Sequence, residues 1–593
     1  MKNKTTAIWF VLAASLAAFI WIFEHHFQPP APGNAGLLPG LRAAAATSLQ
    51  VIPAGAREIS AARTNGAWLL QKPVAYPAQA ARIETLLAVL EKLAPATRLT
   101  AGELRGHKNA DAEFGFENPQ FSIAVEAGEQ RWQLLVGNKT APGDQVFVRV
   151  VGVDGAFVTG IDWLQHLPRS ATDWRDTALV DASGACDWIV ITNGTKVIEL
   201  RCDPTNHLWS LTRPWPARAD GPRIAAALQQ LRSVRVTQFV SDDPKADLAD
   251  FGLQPAELDV WFGRGTNFQS AVHAGKSPAE NPAQIFARRE GWNSVVAVAN
   301  DAMTPWHGAV NDFRDPHLLT LTAPVAEIEV RGENTFTLQQ RGSNAWAVGG
   351  EKFSADAENV TNFLKLLTSF RVAEFVKDFN TAADLQGFGL TNPPSRQIML
   401  RAVAGDTNAA LAQLLFGATE TNRVFVKRAD EKFVYALAAE DFNRLPENGW
   451  EFRDRRIWSF TETNVAQVTL HQGGKTRQML RSGANKWSLA PGSQGIINPP
   501  AVEETVHRLG ELTAAGWIGR NVTAPEKFGL NTNNLSIAVE LKTGEKLTVD
   551  FGAEVSQTAL AAVTLDGERW AFVFPAALYQ LVAAYLTIPP NTP

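Results

Sequence analysis

Cysteine is almost absent from this chain of 593 residues, which contains only Cys186 and Cys202. The residues between them alternate in polarity around Asn193-Gly194, a pattern that predicts a β-hairpin. A three-residue loop centred on Gly194 would place the two cysteines opposite each other, and an oxidising compartment would then permit a disulfide. A two-residue loop would shift the register by one residue and leave two free thiols.

An excess of charge of one sign is also missing, because 55 Lys and Arg residues stand against 60 Asp and Glu residues. With a net charge of −5 the chain has no basic footprint, so nucleic acid is not an expected partner. Hydrophobic residues make up 45% of the chain and charged residues 19%, which is typical of a globular protein. The length allows about four domains of ordinary size.

Signatures of catalysis and metal binding are missing as well. None of the ten histidines forms a His-x-x-x-His pair, and Glu504-x-x-His507 has no second histidine nearby to complete a zinc site. Residues 275–277 (Gly-Lys-Ser) resemble the end of a phosphate-binding loop, but Ser270 stands where that loop requires its first glycine. No Gly-x-Ser-x-Gly elbow is present. We therefore expect no catalytic, metal-binding or cofactor-binding residues and predict that the chain is not an enzyme.

One long hydrophobic run stands out, at residues 7–23 (AIWFVLAASLAAFIWIF). It is uncharged, it follows Lys2 and Lys4, and it is long enough to span a membrane as a helix. No small-x-small cleavage site follows at the right place, so we favour an uncleaved signal anchor over a removed signal peptide. The lysines are expected to keep residues 1–6 in the cytoplasm.

Residues 24–47 are rich in Pro, Gly and Ala, which indicates a linker between this run and the rest of the chain. We therefore predict a single-pass protein of the cytoplasmic (inner) membrane, with the bulk of the chain outside the cytoplasm, in the periplasm. A buried helix of a soluble protein is the alternative interpretation of the run. Its extreme N-terminal position, the preceding lysines and the following linker argue against that alternative.

Internal repetition is what the sequence has in abundance. A Phe-Gly pair recurs every 137 to 140 residues, and a tryptophan precedes each pair by 41 to 46 residues. Two landmarks that share one period indicate four copies of one structural unit. The markers are Trp68, Trp209, Trp346 and Trp487, and the pairs Phe114-Gly115, Phe251-Gly252, Phe388-Gly389 and Phe528-Gly529.

Each copy begins with alternating strands and continues with a helix whose apolar residues recur at helical spacing, as at Ile83, Leu86, Leu87 and Leu90. Strands outnumber helices and follow one another through short turns. This favours an α+β fold in which each repeat is mainly antiparallel sheet with one amphipathic helix. The predicted boundaries are 48–179 for repeat 1, 180–318 for repeat 2, 319–457 for repeat 3 and 458–593 for repeat 4, the cap.

The Phe-Gly pair is followed by Leu or Phe and, in three copies, by a proline, which predicts a tight turn with the glycine in a conformation closed to most residues. A later strand carries a phenylalanine that recurs every 139 residues, at Phe147, Phe286 and Phe425. We expect these recurring rings and glycines to serve packing.

An aromatic-Arg-Asp junction ends the first three copies and is absent from the fourth. Its charged residues are Arg175-Asp176, Arg314-Asp315 and Arg453-Asp454. In one interpretation the arginines form a repeated site for anions or glycans. In the other, which we favour, each arginine stacks on a ring and pairs with an acid where two repeats meet, because the motif disappears where no further repeat follows.

The membrane segment, the tryptophan-bearing strands, the amphipathic helix and the Phe-Gly-Leu-x-Asn-Pro box together resemble the bacterial domain-of-unknown-function family 4340. The similarity covers residues 48–593 and is most evident from Trp346 to Pro393. It implies a membrane-anchored protein, and a companion of ABC-type transport components of the gliding-motility auxiliary class. It implies no catalytic residues.

The first hypothesis for function is therefore a non-catalytic, membrane-anchored repeat protein outside the cytoplasm, an accessory or scaffold of an ABC-type transport or cell-envelope complex. A cell-envelope glycan- or peptide-binding protein is the alternative, since sugars stack on indole rings and the chain has 18 tryptophans. Tryptophans out of phase with the repeat, such as Trp188, Trp292 and Trp306, are the candidates for that role. A hydrolase with an unrecognised site is a third possibility.

Overall fold

A computed structural model describes most of the chain from residue 36 onwards. The described residues are 14–16, 36–180, 184–342, 344–391, 393–402, 410–493, 495–530, 535–555 and 557–588. The predicted cytoplasmic segment 1–6 lies outside them, as do the predicted membrane segment 7–23 apart from residues 14–16 and the linker up to residue 35. Among the described residues, no helix has the length and apolar character needed to cross a membrane.

The chain divides into two compact units, Met1–Arg314 and Asp315–Pro593. The first unit contains two sheets of nine strands, and the second contains one sheet of nine strands and one of eight. Neighbouring strands pair antiparallel within each sheet. The predicted antiparallel repeat is therefore confirmed as a mostly-β fold that occurs four times.

The sheet of repeat 1 has the strand order β4-β3-β2-β1-β6-β7-β8-β9-β5. Its strands are β1 (Ser48–Pro53), β2 (Ile59–Thr64), β3 (Ala67–Lys72), β4 (Tyr76–Pro77), β5 (Thr97–Leu99), β6 (Phe121–Ala127), β7 (Gln130–Lys139), β8 (Gln145–Val150) and β9 (Ala156–Gly160). Helix α1 (Ala80–Lys92) lies between β4 and β5, and the short helices α2 (Ala101–Arg105) and α3 (Ala110–Glu113) precede β6.

Repeat 2 has the same strand order. Its elements are β10 (Trp188–Asn193), β11 (Lys196–Cys202), β12 (Trp209–Arg213), β13 (Ala217–Arg218), α4 (Gly221–Ser233), β14 (Gln238–Ser241), β15 (Leu258–Arg264), β16 (Asn267–Ala274), β17 (Gln284–Arg289) and β18 (Val295–Ala299).

Repeat 3, in the second unit, has this order again. Its elements are β19 (Val325–Arg331), β20 (Phe336–Gln340), β21 (Trp346–Val348), β22 (Ser354–Ala355), α5 (Ala357–Ser369), β23 (Glu374–Lys377), α6 (Ala382–Gly387), β24 (Arg396–Ala402), β25 (Ala410–Glu420), β26 (Arg423–Arg428), β27 (Val434–Ala438) and α7 (Ala439–Asn443).

Repeat 4 keeps the order, and its described residues form no short edge strand before the helix as the other repeats do. Its elements are β28 (Val465–Gln472), β29 (Lys475–Gly483), β30 (Lys486–Leu489), α8 (Pro499–Gly510), β31 (Gly516–Arg520), β32 (Ser536–Leu541), β33 (Lys546–Val555), β34 (Thr558–Leu565), β35 (Glu568–Val573), α9 (Ala576–Leu581) and a π-helical turn (Val582–Leu586).

Short 3-10 turns complete the described secondary structure. They are Ala43–Ala45, Asp162–His166, Ala171–Asp173, Leu248–Phe251, Asn300–Ala302, Thr304–His307, Val310–Phe313, Gly449–Phe452, Glu462–Asn464 and Pro525–Phe528.

The core of each repeat lies between one face of its sheet and its long helix. In repeat 1, the four residues predicted to face the core from α1 are all buried: Ile83, Leu86, Leu87 and Leu90. Burial of one such side chain contributes about 1.5–3 kcal/mol. In α5 of repeat 3, Val360, Phe363 and Leu367 are buried, whereas Leu364, in the same apolar stripe of the helix, is only half-buried.

The hairpin that joins β10 and β11 decides the state of the two cysteines. Asn193 pairs with Lys196, so the loop has two residues and the cysteines are out of register. Cys186 and Cys202 are free thiols. The disulfide that the longer loop would have permitted is therefore not formed. Burial raises the pKa of the Cys186 thiol, which lowers its reactivity at neutral pH.

Candidate functional site

The marker tryptophans lie where their strands meet the core of each repeat. Trp68, Trp346 and Trp487 are buried, and Trp209 is half-buried against the core of repeat 2. These four indoles occupy packing positions, and their phase in the sequence follows from the shared strand order.

The phenylalanine of the Phe-Gly box lies in a small apolar cluster separate from the main core, as shown by Phe114 in repeat 1 and Phe388 in repeat 3. Its ring contacts the recurring phenylalanine on the third strand after the box. The ring centroids of Phe114 and Phe147 are 4.7 Å apart. The same contact measures 5.1 Å for Phe251 and Phe286 and 4.6 Å for Phe388 and Phe425. The two phenylalanine patterns found in the sequence are therefore the two sides of one contact.

The glycine of each box lies against a second glycine, which is on or just after the second strand that follows the box. Gly115, Gly252, Gly389 and Gly529 all have positive φ, between 65° and 81°. A Cβ at the second glycine would lie 2.0–2.2 Å from the carbonyl oxygen of the box phenylalanine, far inside van der Waals contact. These second glycines are Gly137, Gly275, Gly417 and Gly552. The box is a backbone-to-backbone contact, which only glycine permits.

The junction between repeats 1 and 2 holds Arg175 in a pocket of aromatic and acidic side chains, which we call the first seam. Its guanidinium lies 4.4 Å from the ring centroid of Phe239 and 5.6 Å from that of Tyr76. Nη2 donates to Oδ2 of Asp242 at 2.6 Å, and the hydroxyl of Ser294 donates to the other oxygen at 2.8 Å. Arg175 is 3% exposed, so these contacts replace part of its solvation, and its buried Nε has no hydrogen-bond partner among the described residues.

The neighbouring Asp176 closes the turn that leads into repeat 2. Its Oδ1 accepts from the backbone N–H of Ala178 at 3.0 Å, and its Oδ2 accepts from Nη1 of Arg289 at 3.3 Å. The same nitrogen of Arg289 donates to the carbonyl oxygen of Ala178 at 3.2 Å. One arginine of repeat 2 thereby fastens the end of repeat 1.

The junction between repeats 3 and 4 holds Arg453 in the same manner, and we call it the second seam. The guanidinium lies 4.5 Å from the ring of Trp570, 4.9 Å from Phe353 and 5.8 Å from Trp517. Nη2 donates to Oδ2 of Asp566 at 2.7 Å. Each such stack on a ring contributes about 0.5–2 kcal/mol.

A second arginine strengthens the second seam. Arg520 donates to both carboxylate oxygens of Glu351 and to both of Glu568, and its guanidinium also faces Phe353. These carboxylates raise the pKa of Arg520 further above its already high value. Asp454 accepts from the backbone N–H of Arg456, as Asp176 does from Ala178.

Within its own repeat, each junction arginine forms a backbone bridge to the strand end that precedes the long helix. The bridges are Ala78 to Arg175, Ala219 to Arg314 and Ala355 to Arg453. Arg314 is buried in the first unit and donates to Oδ1 of Asn311. Asp315 in the second unit accepts from the backbone N–H of His317. The ring stack and the ion pair that the packing interpretation requires are present around Arg175 and Arg453.

The tryptophans out of phase with the repeat have different surroundings. Trp306 is fully buried in the core of repeat 2, and Trp292 contacts Tyr76 of the first seam at 5.7 Å. Trp188 is half-buried beneath the guanidinium of Arg201. Trp306 is therefore occupied by packing, whereas Trp292 is only half-buried.

One polar cluster breaks the repeat pattern, and we call it the His273 cluster (Asp259, His273 and Glu290). His273 is 7% exposed, yet Nδ1 lies 2.5 Å from Oδ1 of Asp259 and Nε2 lies 2.6 Å from Oε2 of Glu290. The hydrogen bond with Asp259 raises the pKa of His273, burial opposes this effect, and Glu290 raises the pKa again. The ring also meets the edge of Trp261 at 5.6 Å.

The other repeats have different residues at the three positions. His273 pairs across the sheet with Asp259, as Leu135 pairs with Ser122 and Leu415 with Gln397. The backbone N–H of Glu290 donates a hydrogen bond to β16, and the N–H groups of Val151 and Ala429 donate in the same way to β7 and β25. Only repeat 2 therefore combines two acids with a histidine here. The sequence signal was the position of His273, two residues before the strand glycine.

Three segments of the chain match the model of one protein family. The model of the family described as Domain of unknown function (DUF4340) matches residues 68–186, 209–378 and 346–533. The chain belongs to this family. Each DUF4340 match begins at a marker tryptophan, Trp68, Trp209 or Trp346. No curated protein matches the chain.

Three cavities of this DUF4340 chain lie beside long helices. Cavities of about 540 Å³ and 300 Å³ flank α1, and one of about 600 Å³ flanks α8. Each lies between the helix and the segment that follows the last paired strand of its repeat. Arg82, His166 and Arg169 line the first, and Leu578 and Leu581 line the third.

The helical Glu504-x-x-His507 spacing does not form a joint site. Nδ1 of His507 contacts Glu462 at 3.0 Å, whereas Glu504 pairs with Arg508 at 2.8 Å. In the described parts of this DUF4340 chain, no group of three His, Cys, Asp or Glu side chains has the geometry to hold a metal ion.

Proposed function

We propose that this DUF4340 chain is a non-catalytic, membrane-anchored repeat protein that works outside the cytoplasm as an accessory or scaffold of an ABC-type transport or cell-envelope complex. The observation that carries the proposal is where the repeated residues lie. The marker tryptophans, the Phe-Gly boxes and the junction arginines take part in packing within and between repeats. Repeats whose recurring residues serve packing are suited to presenting surfaces to other proteins.

The membrane anchor rests on the sequence of residues 1–23. Seventeen uncharged residues, 7–23, follow Lys2 and Lys4, and a helix of that length can span the hydrocarbon core. Positive residues on the short N-terminal side favour its retention in the cytoplasm. The sheets would then lie on the opposite side of the membrane. Residues 24–35 of the predicted linker would connect them to the anchor, because Leu37, Leu38 and Leu41 at its far end are buried in the core of repeat 1.

Cell fractionation tests the anchor. The full chain with a C-terminal tag is expected in the membrane fraction after a carbonate wash, with the tag accessible to protease from the periplasmic side. The matched control replaces residues 1–27 with a cleavable signal peptide and should yield a soluble periplasmic protein. Recovery of the unaltered chain in the soluble fraction with its N-terminus removed would refute the anchor.

Purification from membranes tests the accessory role. After crosslinking and mild detergent extraction, an ABC-type transport subunit is expected to co-purify with the full chain. The control with the cleavable signal separates two requirements, because it retains the repeats but loses the anchor. If neither form retains a transport or envelope subunit, the accessory role is wrong.

A further inference from the structure

The His273 cluster needs a proton to satisfy its contacts. A neutral imidazole has one N–H donor and one acceptor nitrogen, whereas a carboxylate only accepts. His273 has a carboxylate oxygen at 2.5 Å from one nitrogen and another at 2.6 Å from the second. Both contacts are hydrogen bonds only if both nitrogens carry a proton, that is, if the ring is an imidazolium.

The charged groups around His273 come from every strand that packs against it. Asp259 lies opposite it on β15, Arg288 lies opposite it on β17, and Glu290 follows β17. Two carboxylates thus face one imidazolium and one guanidinium. Loss of the ring proton leaves one of the carboxylates facing a nitrogen lone pair at hydrogen-bond distance, which is repulsive.

The turn that carries Glu290 also carries the contacts of repeat 2 to repeat 1. Arg289 donates to Asp176 and to the carbonyl oxygen of Ala178. Trp292 packs on Tyr76, and Ser294 donates to Asp242, the carboxylate that binds Arg175. These contacts are made by Arg289, Trp292 and Ser294, which flank Glu290 at the end of β17 or in the turn before β18.

We propose that His273 is a proton-binding site that couples pH to the strength of the first seam, the contact between repeats 1 and 2. With the proton bound, Glu290 holds the turn against the sheet and keeps Arg289 and Trp292 in place on repeat 1. Without it, Glu290, the more exposed of the two acids, turns to water and the turn loosens. This inference does not depend on the proposed function.

The direction of the pH effect follows from the raised pKa of His273. A group whose pKa is higher in the folded state stabilises that state fully below its unfolded value, 6.5 for histidine. The contribution is lost as the pH rises through the folded pKa. The first seam is therefore firm in mildly acidic solution and loosens on the alkaline side of 6.5.

Amide hydrogen exchange measured by mass spectrometry between pH 6 and pH 9, corrected for intrinsic rates, tests the coupling. In the full chain, peptides covering 284–299 and 172–180 are expected to exchange faster as the pH rises. The corrected rate should increase about tenfold for each pKa unit by which folding raises the pKa of His273.

Two variants make the test specific. The first is a triple variant, Asp259→Ser, His273→Leu and Glu290→Val, which carries the residues found at these positions in repeat 1, where no histidine is present. It should abolish the pH dependence in both peptides. His507→Gln removes another histidine of raised pKa, in repeat 4, and should leave both peptides as in the unaltered chain. The proposal is overturned if the triple variant keeps the pH dependence, or if peptide 172–180 does not respond in the unaltered chain.

Discussion

The Phe-Gly boxes and the two described seams both recur, yet different contacts hold them. In all four boxes a Cβ on the strand glycine would lie 2.0–2.2 Å from a backbone carbonyl oxygen. In the seams a guanidinium lies over side-chain rings: Phe239 and Tyr76 around Arg175, and Trp570, Phe353 and Trp517 around Arg453.

This difference explains how strictly each feature repeats. A backbone contact has no side chain that can adjust, so all four copies keep glycine at both positions. A flat guanidinium stacks on Phe, Tyr or Trp alike, so the rings around it change from seam to seam. The box fixes the fold of each repeat, whereas the seam sets how firmly two repeats of one unit hold together.

The box should show the largest effect of substitution. Gly137→Ala is expected to destabilise repeat 1 by about 3 kcal/mol, because the added methyl group meets the carbonyl oxygen of Phe114 and the backbone has to move. Hydrogen exchange of peptides spanning 114–150 measures this as a loss of protection of roughly a hundredfold.

Gly160→Ala is the matched control for the box. Gly160 ends β9 on the surface, and a Cβ there would meet no atom within 4 Å. Its effect should stay within about 0.5 kcal/mol. Equal protection in the two variants would show that the close approach at Gly137 is not what fixes the box.

The second seam should show an intermediate effect. Arg453→Lys keeps the charge but loses the planar stack on Trp570 and Phe353, at an expected cost of about 2 kcal/mol. Hydrogen exchange of peptides spanning 450–456 and 564–572 reports the loss. Arg444→Lys alters an exposed ion pair with Asp441 and should change stability by less than about 0.5 kcal/mol.

The sequence predicted the box and the junction arginines because both keep fixed positions in every copy that has them. It did not predict the acids of the seams, since these come from different elements. Asp242 follows β14 in the first seam, whereas Asp566 lies between β34 and β35 in the second. Because the acid that pairs with the arginine comes from a different element in each seam, it does not recur at a fixed spacing in the sequence.

The His273 cluster was missed for a related reason. The distance from the Phe-Gly pair to this strand position varies with loop length, which hides the correspondence between repeats. Counted from the strand glycine instead, His273 stands where Leu135 and Leu415 stand. Whether Cys186 and Cys202 can pair depends on whether the hairpin loop has two or three residues. Polarity alternation does not distinguish these two loop lengths.

Exchange of one ring for another in the second seam should have a smaller effect. Trp517 and Phe239 occupy the same place, each just before the irregularity in its edge-strand pairing. Trp517→Phe therefore keeps a ring beneath Arg453 and loses mainly the hydrogen bond from Nε1 to the carbonyl oxygen of Arg453. We expect a cost of about 1 kcal/mol.

Trp517→Ala completes this comparison, because it removes the ring as well. Its cost should reach about 3 kcal/mol, and the midpoint of urea unfolding should fall accordingly. If Trp517→Phe were as damaging as Trp517→Ala, the seams would not tolerate exchange of rings, and the contrast with the boxes would fail.

The smallest effect is expected at the helix that leads into the box of repeat 3. Asp384 in α6 accepts from Nζ of Lys377 at 2.5 Å and from the backbone N–H of Thr381 at 2.7 Å, and these bonds lower the pKa of Asp384 to about 2. A lowered pKa stabilises the fold fully above the unfolded value of 3.8 and ceases to do so as the pH falls towards 2. Asp384→Asn should therefore lower the urea midpoint slightly at pH 6, and the difference from the unaltered chain should shrink between pH 4 and pH 2. Glu333→Gln, at an exposed turn of the same repeat, should shift the midpoint at neither pH; a difference for Asp384→Asn that stayed constant down to pH 2 would show that the carboxylate charge plays no part in holding this helix to the box.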